Sequence, residues 1–228
     1  MVVRWHLRGW REGAMARGGN MGAATSKGRA RRRLIATGRP SLCLDYANTR
    51  CWRGQASPTE TLQHPTDLVD WCRRAGLWAA SYRSMTPGPA AALFAEAIAL
   101  REVIYRAFSS LAAGGSIAHA DLAALNAAIA QAPPRARIAQ LGTQYAWQVC
   151  ASTDVRPLAV PQLLAAVIWS AADLIVAGRD DRIRQCANDA CRWLFLDGSR
   201  NASRRWCDMS ACGNRAKARR HYLKRRAG

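Results

Sequence analysis

Cys186-Ala187-Asn188-Asp189-Ala190-Cys191 and Cys207-Asp208-Met209-Ser210-Ala211-Cys212 are two Cys-x4-Cys pairs separated by fifteen residues. Two close thiol pairs joined by a short loop meet the needs of a tetrahedral tetrathiolate site. Each pair forms one edge, and the loop brings the edges together at a Zn–S distance of about 2.3 Å. The spacing is wider than the x2 of common zinc ribbons. The other cysteines, Cys43, Cys51, Cys72 and Cys150, are dispersed among apolar neighbours and read as small buried hydrophobes. A second metal or redox site at Cys43 and Cys51 is the weaker alternative. The expected cofactor is therefore one structural Zn2+ per chain, held by Cys186, Cys191, Cys207 and Cys212. An iron–sulfur cluster and disulfides rank behind it. Four protein ligands leave no open position for substrate or activated water.

Size explains why an ion is needed. A segment of about 50 residues cannot bury enough surface to fold unaided. Zinc contributes apparent free energies of about 10–16 kcal/mol in small finger peptides. Trp193, Phe195, Trp206 and Leu223 are the expected apolar core around the ion. Local order suggests a treble clef: a knuckle at 186–191, a strand at 192–195, a returning strand at 204–207, and a helix opened by Cys212. A thiolate at a helix N-terminus is stabilised by the macrodipole and by free backbone N–H groups.

Charge separates the 228 residues into three parts. Residues 1–39 carry ten Lys/Arg and one acid, residues 40–178 carry ten and nine, and residues 179–228 carry fourteen and five. A nearly neutral body thus lies between two ends of net charge +9 each. The total of +19 favours polyanionic partners. No apolar run approaches the roughly 18–20 residues needed to cross a bilayer, and no secretory h-region follows the N-terminal arginines. The expectation is a soluble, cytoplasmic protein without membrane association. Residues 1–39, glycine-rich and containing Met15 and Met21, read as a basic, disordered extension.

The body, residues 40–178, reads as α+β and mostly α. A short buried turn or helix start covers 42–50, ending in polar residues. Helices are expected from an N-cap at Thr66 to Gly76, over about 90–113, from 119 to 132, and from Pro161 to Ala177. Near-alternation at 136–151 around Gly142-Thr143 predicts an antiparallel β-hairpin. Gly178 to Asp181 reads as a hinge into the finger.

Projecting the last helix at about 100° per residue directs Cys212, Ala216 and Leu223 inward. Arg215 and Arg219 then line one flank, with Lys217, Arg220 and Lys224 on the other. No acid follows Asp208. With Arg200, Arg204 and Arg205 on the adjacent hairpin, these cations form the expected nucleic-acid surface.

The run Cys207 to Arg215, preceded by Asp197-Gly198-Ser199-Arg200 and Arg204-Arg205-Trp206, resembles the CGNR zinc-finger family. That family is named for the tetrapeptide matched here by Cys212-Gly213-Asn214-Arg215. Leu44-Asp45-Tyr46-Ala47-Asn48-Thr49, Pro65 to Trp71 and Asp121 to Asn126 are similar to the helical ABATE domain, described as a stress-induced transcription regulator. The resemblance covers roughly residues 40–226. It implies an α-rich domain with some β structure, a treble-clef finger, and a DNA-binding regulatory role in bacteria.

The leading functional expectation is a non-enzymatic, zinc-dependent transcription regulator whose finger binds DNA. Its body would sense a small ligand or pair subunits as a homodimer. Asp45, Asn48 and Arg50 are the candidate pocket residues. An RNA-binding or ribosome-associated module and a thiolate redox sensor are the alternatives. Asp45, His64, Glu96, Glu102 and His119 show no nucleophile–base–orienter spacing, so no catalytic residue is expected. On sequence alone, the finger is separable: Cys212→Ser should unfold it and leave the helical body intact.

Overall fold

The computed structural model describes residues 32–35, 40–77, 87–141, 143–150, 159–178 and 182–226. In chain order they form β1 (Arg32–Ile35), α1 (Leu42–Ala47), β2 (Arg50–Cys51), β3 (Thr59–Glu60), α2 (Pro65–Arg74), α3 (Pro87–Ala112) and α4 (His119–Gln131). Then come β4 (Arg137–Leu141), β5 (Gln144–Cys150), α5 (Val160–Leu163), α6 (Ala165–Val176), β6 (Ile183–Gln185), β7 (Leu194–Leu196) and α7 (Asn214–Arg226). The mostly helical α+β class expected from the sequence is what forms.

α3 is the spine. Its 26 residues, about 39 Å long at 1.5 Å per residue, bury Leu93, Ala97, Leu100, Ile104, Ala107, Phe108 and Leu111 along one stripe. That stripe packs on α1, α2 and α4, and its C-terminal half meets β6 and β7. α1 is short because nearly all of it is interior: Leu42, Cys43, Leu44, Tyr46 and Ala47 are buried. Its polar atoms find partners inside. The Tyr46 hydroxyl donates to the Ala97 carbonyl at 2.7 Å, and the Cys43 N–H donates to Ser170 Oγ at 3.1 Å. α6 is buried from Ala165 through Ala171, which places it at the centre of the body.

β1, β5 and β4 make an antiparallel sheet in that order, with Leu34 opposite Gln148 and Ile138 opposite Trp147. Arg135 fastens the sheet to α6. Its guanidinium lies 5.7 Å from the Trp147 ring and 5.1 Å from the Trp169 ring, and pairs with Asp173 at 2.9 Å.

Several expectations change. The N-terminal extension is not wholly irregular, since Arg32–Ile35 pair along the free edge of β5. Residues 1–31 and 36–39 lie outside the described residues, as does most of the hinge at 179–181. α2 is capped by His64 rather than Thr66. Pro65 occupies the first helical position, and the Asp67 carboxylate accepts from the backbone N–H of His64 (2.8 Å) and Gln63 (2.9 Å). The single helix expected over 161–177 is two, divided at Leu164, whose φ of −100° and ψ of 21° leave the helical region.

A buried charge network ties α3 to the β2–β3 ribbon. Arg101 is 1% exposed and binds both Glu60 oxygens at 2.6 and 2.7 Å, while its Nε donates to Glu102 at 2.9 Å. Glu102 also receives both terminal nitrogens of Arg53, at 2.7 and 3.0 Å. Burial alone would push the Glu102 carboxyl up. Hydrogen bonds and charge from Arg53, then Arg101, outweigh it and hold the group below the ordinary carboxylate range. Its contribution to stability is complete above an unfolded-state value of about 4.3 and is lost as pH falls through the lower folded value. Arg101→Met should cost about 3–5 kcal/mol, read as a lower urea midpoint at neutral pH. It should also blunt the loss of stability between neutral and acid pH.

Candidate metal centre

The centre is assembled from two backbone turns. β6 pairs with β7 in a short hairpin, Ile183 opposite Leu196, and the connection between them is the 186–191 knuckle. Cys191 and Arg192 donate their N–H groups to the Asn188 carbonyl at 2.8 and 3.1 Å. Arg192 adopts a left-handed φ of 54°. That turn is why the strand begins at Leu194 and not at Arg192. Residues 204–207 form no second strand, a correction to the expected hairpin. Their link to the knuckle is a backbone bond from Ala187 N–H to the Arg205 carbonyl at 2.8 Å.

The second pair lies on a turn that opens α7. Asp208 caps it, its Oδ1 accepting from Ala211 N–H at 3.0 Å and from the Ser210 hydroxyl at 2.6 Å. Residues Met209–Gly213 follow as one wide π-type turn. A Cβ on Gly213 would lie 2.4 Å from Met209 Sδ, so the turn closes only around a bare Cα or a displaced methionine. The hydrogen bond from Ser210, then that from Ala211, holds the Asp208 carboxyl below its usual value and keeps the cap ionised. Cys212 therefore sits in the first turn of the final helix, as a treble clef requires.

The four sulfurs lie within 4.8 Å of one another. Cys191 and Cys207 are 3.7 Å apart, and Cys207 and Cys212 are 3.8 Å apart. A tetrahedron with Zn–S bonds of about 2.3 Å has an edge of about 3.8 Å. The donor set and the spacing fit. Asn188 Nδ2 donates to the Cys212 sulfur at 3.6 Å, supplying the outer hydrogen bond that orients a ligand. Burial pushes the Cys43 and Cys72 thiols up to about 12, so those two are inert core residues. Burial also raises Cys51. The Cys150 side chain lies outside the described residues.

Around the sulfurs pack Trp193, Trp206 and Trp52. Leu223 does not: it is 55% exposed, because α7 runs past the finger's own core. Trp52 comes from the body, and no periodicity marked it. Three further contacts join finger to body. Asn48 Nδ2 donates to the Leu194 carbonyl at 2.8 Å while Leu194 N–H donates to Asn48 Oδ1 at 3.0 Å. Tyr105 donates its hydroxyl to the Arg192 carbonyl at 3.1 Å. The Gly54 N–H meets the Ala190 carbonyl at 3.2 Å. Ile183 and Leu194 belong to the main apolar core. The finger is thus built into the body, contrary to the separable unit expected from sequence.

This docking also redefines the candidate pocket. Asn48 faces Leu194, and Arg50 faces Glu102 at 3.8 Å. Asp45 is half-buried on α1. Among the expected nucleic-acid residues, Arg200, Arg204, Arg205, Arg215, Lys217 and Arg219 are exposed. Arg204 is spent on its own chain at the surface. It donates to the Trp206 and Cys207 carbonyls and lies 4.7 Å over the Phe195 ring. The side chains of Arg220 and Lys224 lie outside the described residues. Asp197, which opens the Asp197-to-Arg200 run of the family resemblance, fixes the loop before Arg204. It accepts from the backbone N–H of Ser199 (2.9 Å) and Arg204 (2.8 Å), and its carboxyl is held down to about 2 by Ser199 first and Arg204 after it.

A helical body carrying a tetrathiolate treble clef with a basic outer face defines a zinc-finger protein with one structural zinc. The family described as ABATE, "Putative stress-induced transcription regulator", matches residues 40–178, and the CGNR zinc finger matches residues 182–225. The chain belongs to the ABATE family and carries a CGNR finger. No curated protein matches it. Neither family is an enzyme type, and among the described residues no helix is long and apolar enough to cross a membrane.

Gly54 gives the sharpest test of the docking. A Cβ there would lie 1.6 Å from the Asp189 carbonyl oxygen, whereas at Gly198 nothing lies within 4 Å. Gly54→Ala should destabilise the protein by about 2–3 kcal/mol in equilibrium unfolding. Gly198→Ala, in the finger, should leave the midpoint unmoved.

Proposed function

We propose that this chain is a zinc-dependent, DNA-binding transcription regulator acting in the cytoplasm, with the finger as the contact surface. The observation that carries the reading is the exposure of Arg200, Arg205, Arg215, Lys217 and Arg219 on a segment made rigid by the metal centre. Two of them are pre-ordered by aromatic rings: Arg215 lies 4.6 Å over Trp52 and Arg205 lies 5.5 Å over Trp206. Fixed guanidinium groups lose less entropy on meeting phosphates and suit their forked geometry. When bound, the ion supplies no reactive group. It holds the hairpin and α7 in one arrangement, so the cations act as a pattern.

The body supplies the regulatory half of the proposal. Asn48, Trp52 and Gly54 follow directly from α1, so any event that shifts α1 reaches the knuckle through one short, hydrogen-bonded segment. A small ligand or a second subunit acting on the helices would modulate DNA contact by that route.

Anisotropy titrations of the zinc-loaded protein with duplex DNA across salt test the reading. Five neutralised phosphates predict a log–log slope of about −4.5, a several-hundred-fold loss between about 50 and 200 mM salt. Each alanine replacement among the five should reduce the slope by about 0.9. Salt-independent binding or none contradicts the proposal, and tighter binding to structured RNA in competition assigns the surface to RNA instead.

A further inference from the structure

Beside the metal centre, the knuckle and α7 leave a groove of about 310 Å³. It is at the small end of ligand clefts. Its lining includes Trp206, Ala216 and Leu223 as apolar members, Arg215 and Arg219 one helical turn apart, and Asp189 from the knuckle. Duplex backbone needs only the cations. A concave site that adds an indole and aliphatic carbon to two guanidinium groups matches a different object, an unstacked base with its flanking phosphates.

Trp206 is half-buried against the cysteine cluster, which holds its ring in place, and a base would stack on it by displacing the Arg205 guanidinium that lies 5.5 Å over the ring. Stacking on such a ring is tolerant of base identity. Asp189 in the lining is not tolerant, since a carboxylate is a hydrogen-bond acceptor. Cytosine offers it the N4 amine, where thymine presents the O4 acceptor and a methyl group.

We propose that this groove binds one unstacked base of a single DNA strand, cytosine in preference to thymine, with Arg215 and Arg219 on the adjacent phosphates. The proposal rests on the nucleic-acid reading above and adds a strand type and a base preference to it.

The test uses the full-length, zinc-loaded protein and labelled oligo(dC), oligo(dT) and a mixed-sequence duplex, followed by anisotropy. Oligo(dC) should bind roughly five-fold or more tighter than oligo(dT), and Asp189→Asn should bring the two affinities together. Ala216→Leu fills the groove without removing charge. It should weaken oligo(dC) binding while duplex binding and its salt slope stay unchanged, with zinc content confirming that the finger is intact. Equal affinity for the two strands, or oligo(dC) binding untouched by Ala216→Leu, overturns the groove assignment while salt-dependent duplex binding leaves the function in place. Loss of binding to every nucleic acid overturns both. Deoxycytidine monophosphate competing as tightly as the strand overturns the strand assignment in favour of a free nucleotide.

Discussion

Four thiolates around one cation are the constraint on which the carboxy-terminal segment depends. The apolar material around the sulfurs is scant: three indole rings, one of them borrowed from the body. Such a core cannot offset the conformational entropy of ordering two turns, a hairpin and a helix start. The ion supplies the missing free energy, and because ligands must be deprotonated, that contribution weakens as pH falls. The cap at Asp208, the closure at Gly213 and the Asn188 amide aim the ligands. They would have little to hold without the metal.

The second constraint is that the finger is not a bead on a linker. Ile183 and Leu194 lie in the main core, and Asn48 closes a reciprocal pair of hydrogen bonds with Leu194 across 146 residues of chain. Backbone polar groups buried at such a junction must be paired there, since water cannot reach them. The body therefore completes the finger, and the finger completes the body. In the proposed regulator this arrangement would couple the helical layer to the cationic surface.

The metal ligands were legible because cysteine spacing encodes a tetrahedron directly. α3 and α4 were legible from helical periodicity and from the Gly114-Gly115 and Pro133-Pro134 breaks. What stayed hidden was long-range. The role of Asn48 depends on a carbonyl in a strand the sequence placed differently, and Trp52 gave no periodic signal in a polar stretch. Gly54 looked like any loop glycine until the Asp189 carbonyl stood where its Cβ would be. α7 misled in the opposite way: its period placed Leu223 inside, but the helix outlasts the surface it could pack against. Arg204, one cation among many in sequence, is a support for the Cys207 turn.

Hydrogen–deuterium exchange of the intact chain, before and after stoichiometric zinc removal, tests the central claim most directly. Faster exchange at Leu194 in the finger together with α1 and the C-terminal half of α3 is the result expected of one cooperative unit. Faster exchange confined to residues 186–226, with the α3 amides protected as before, would contradict it.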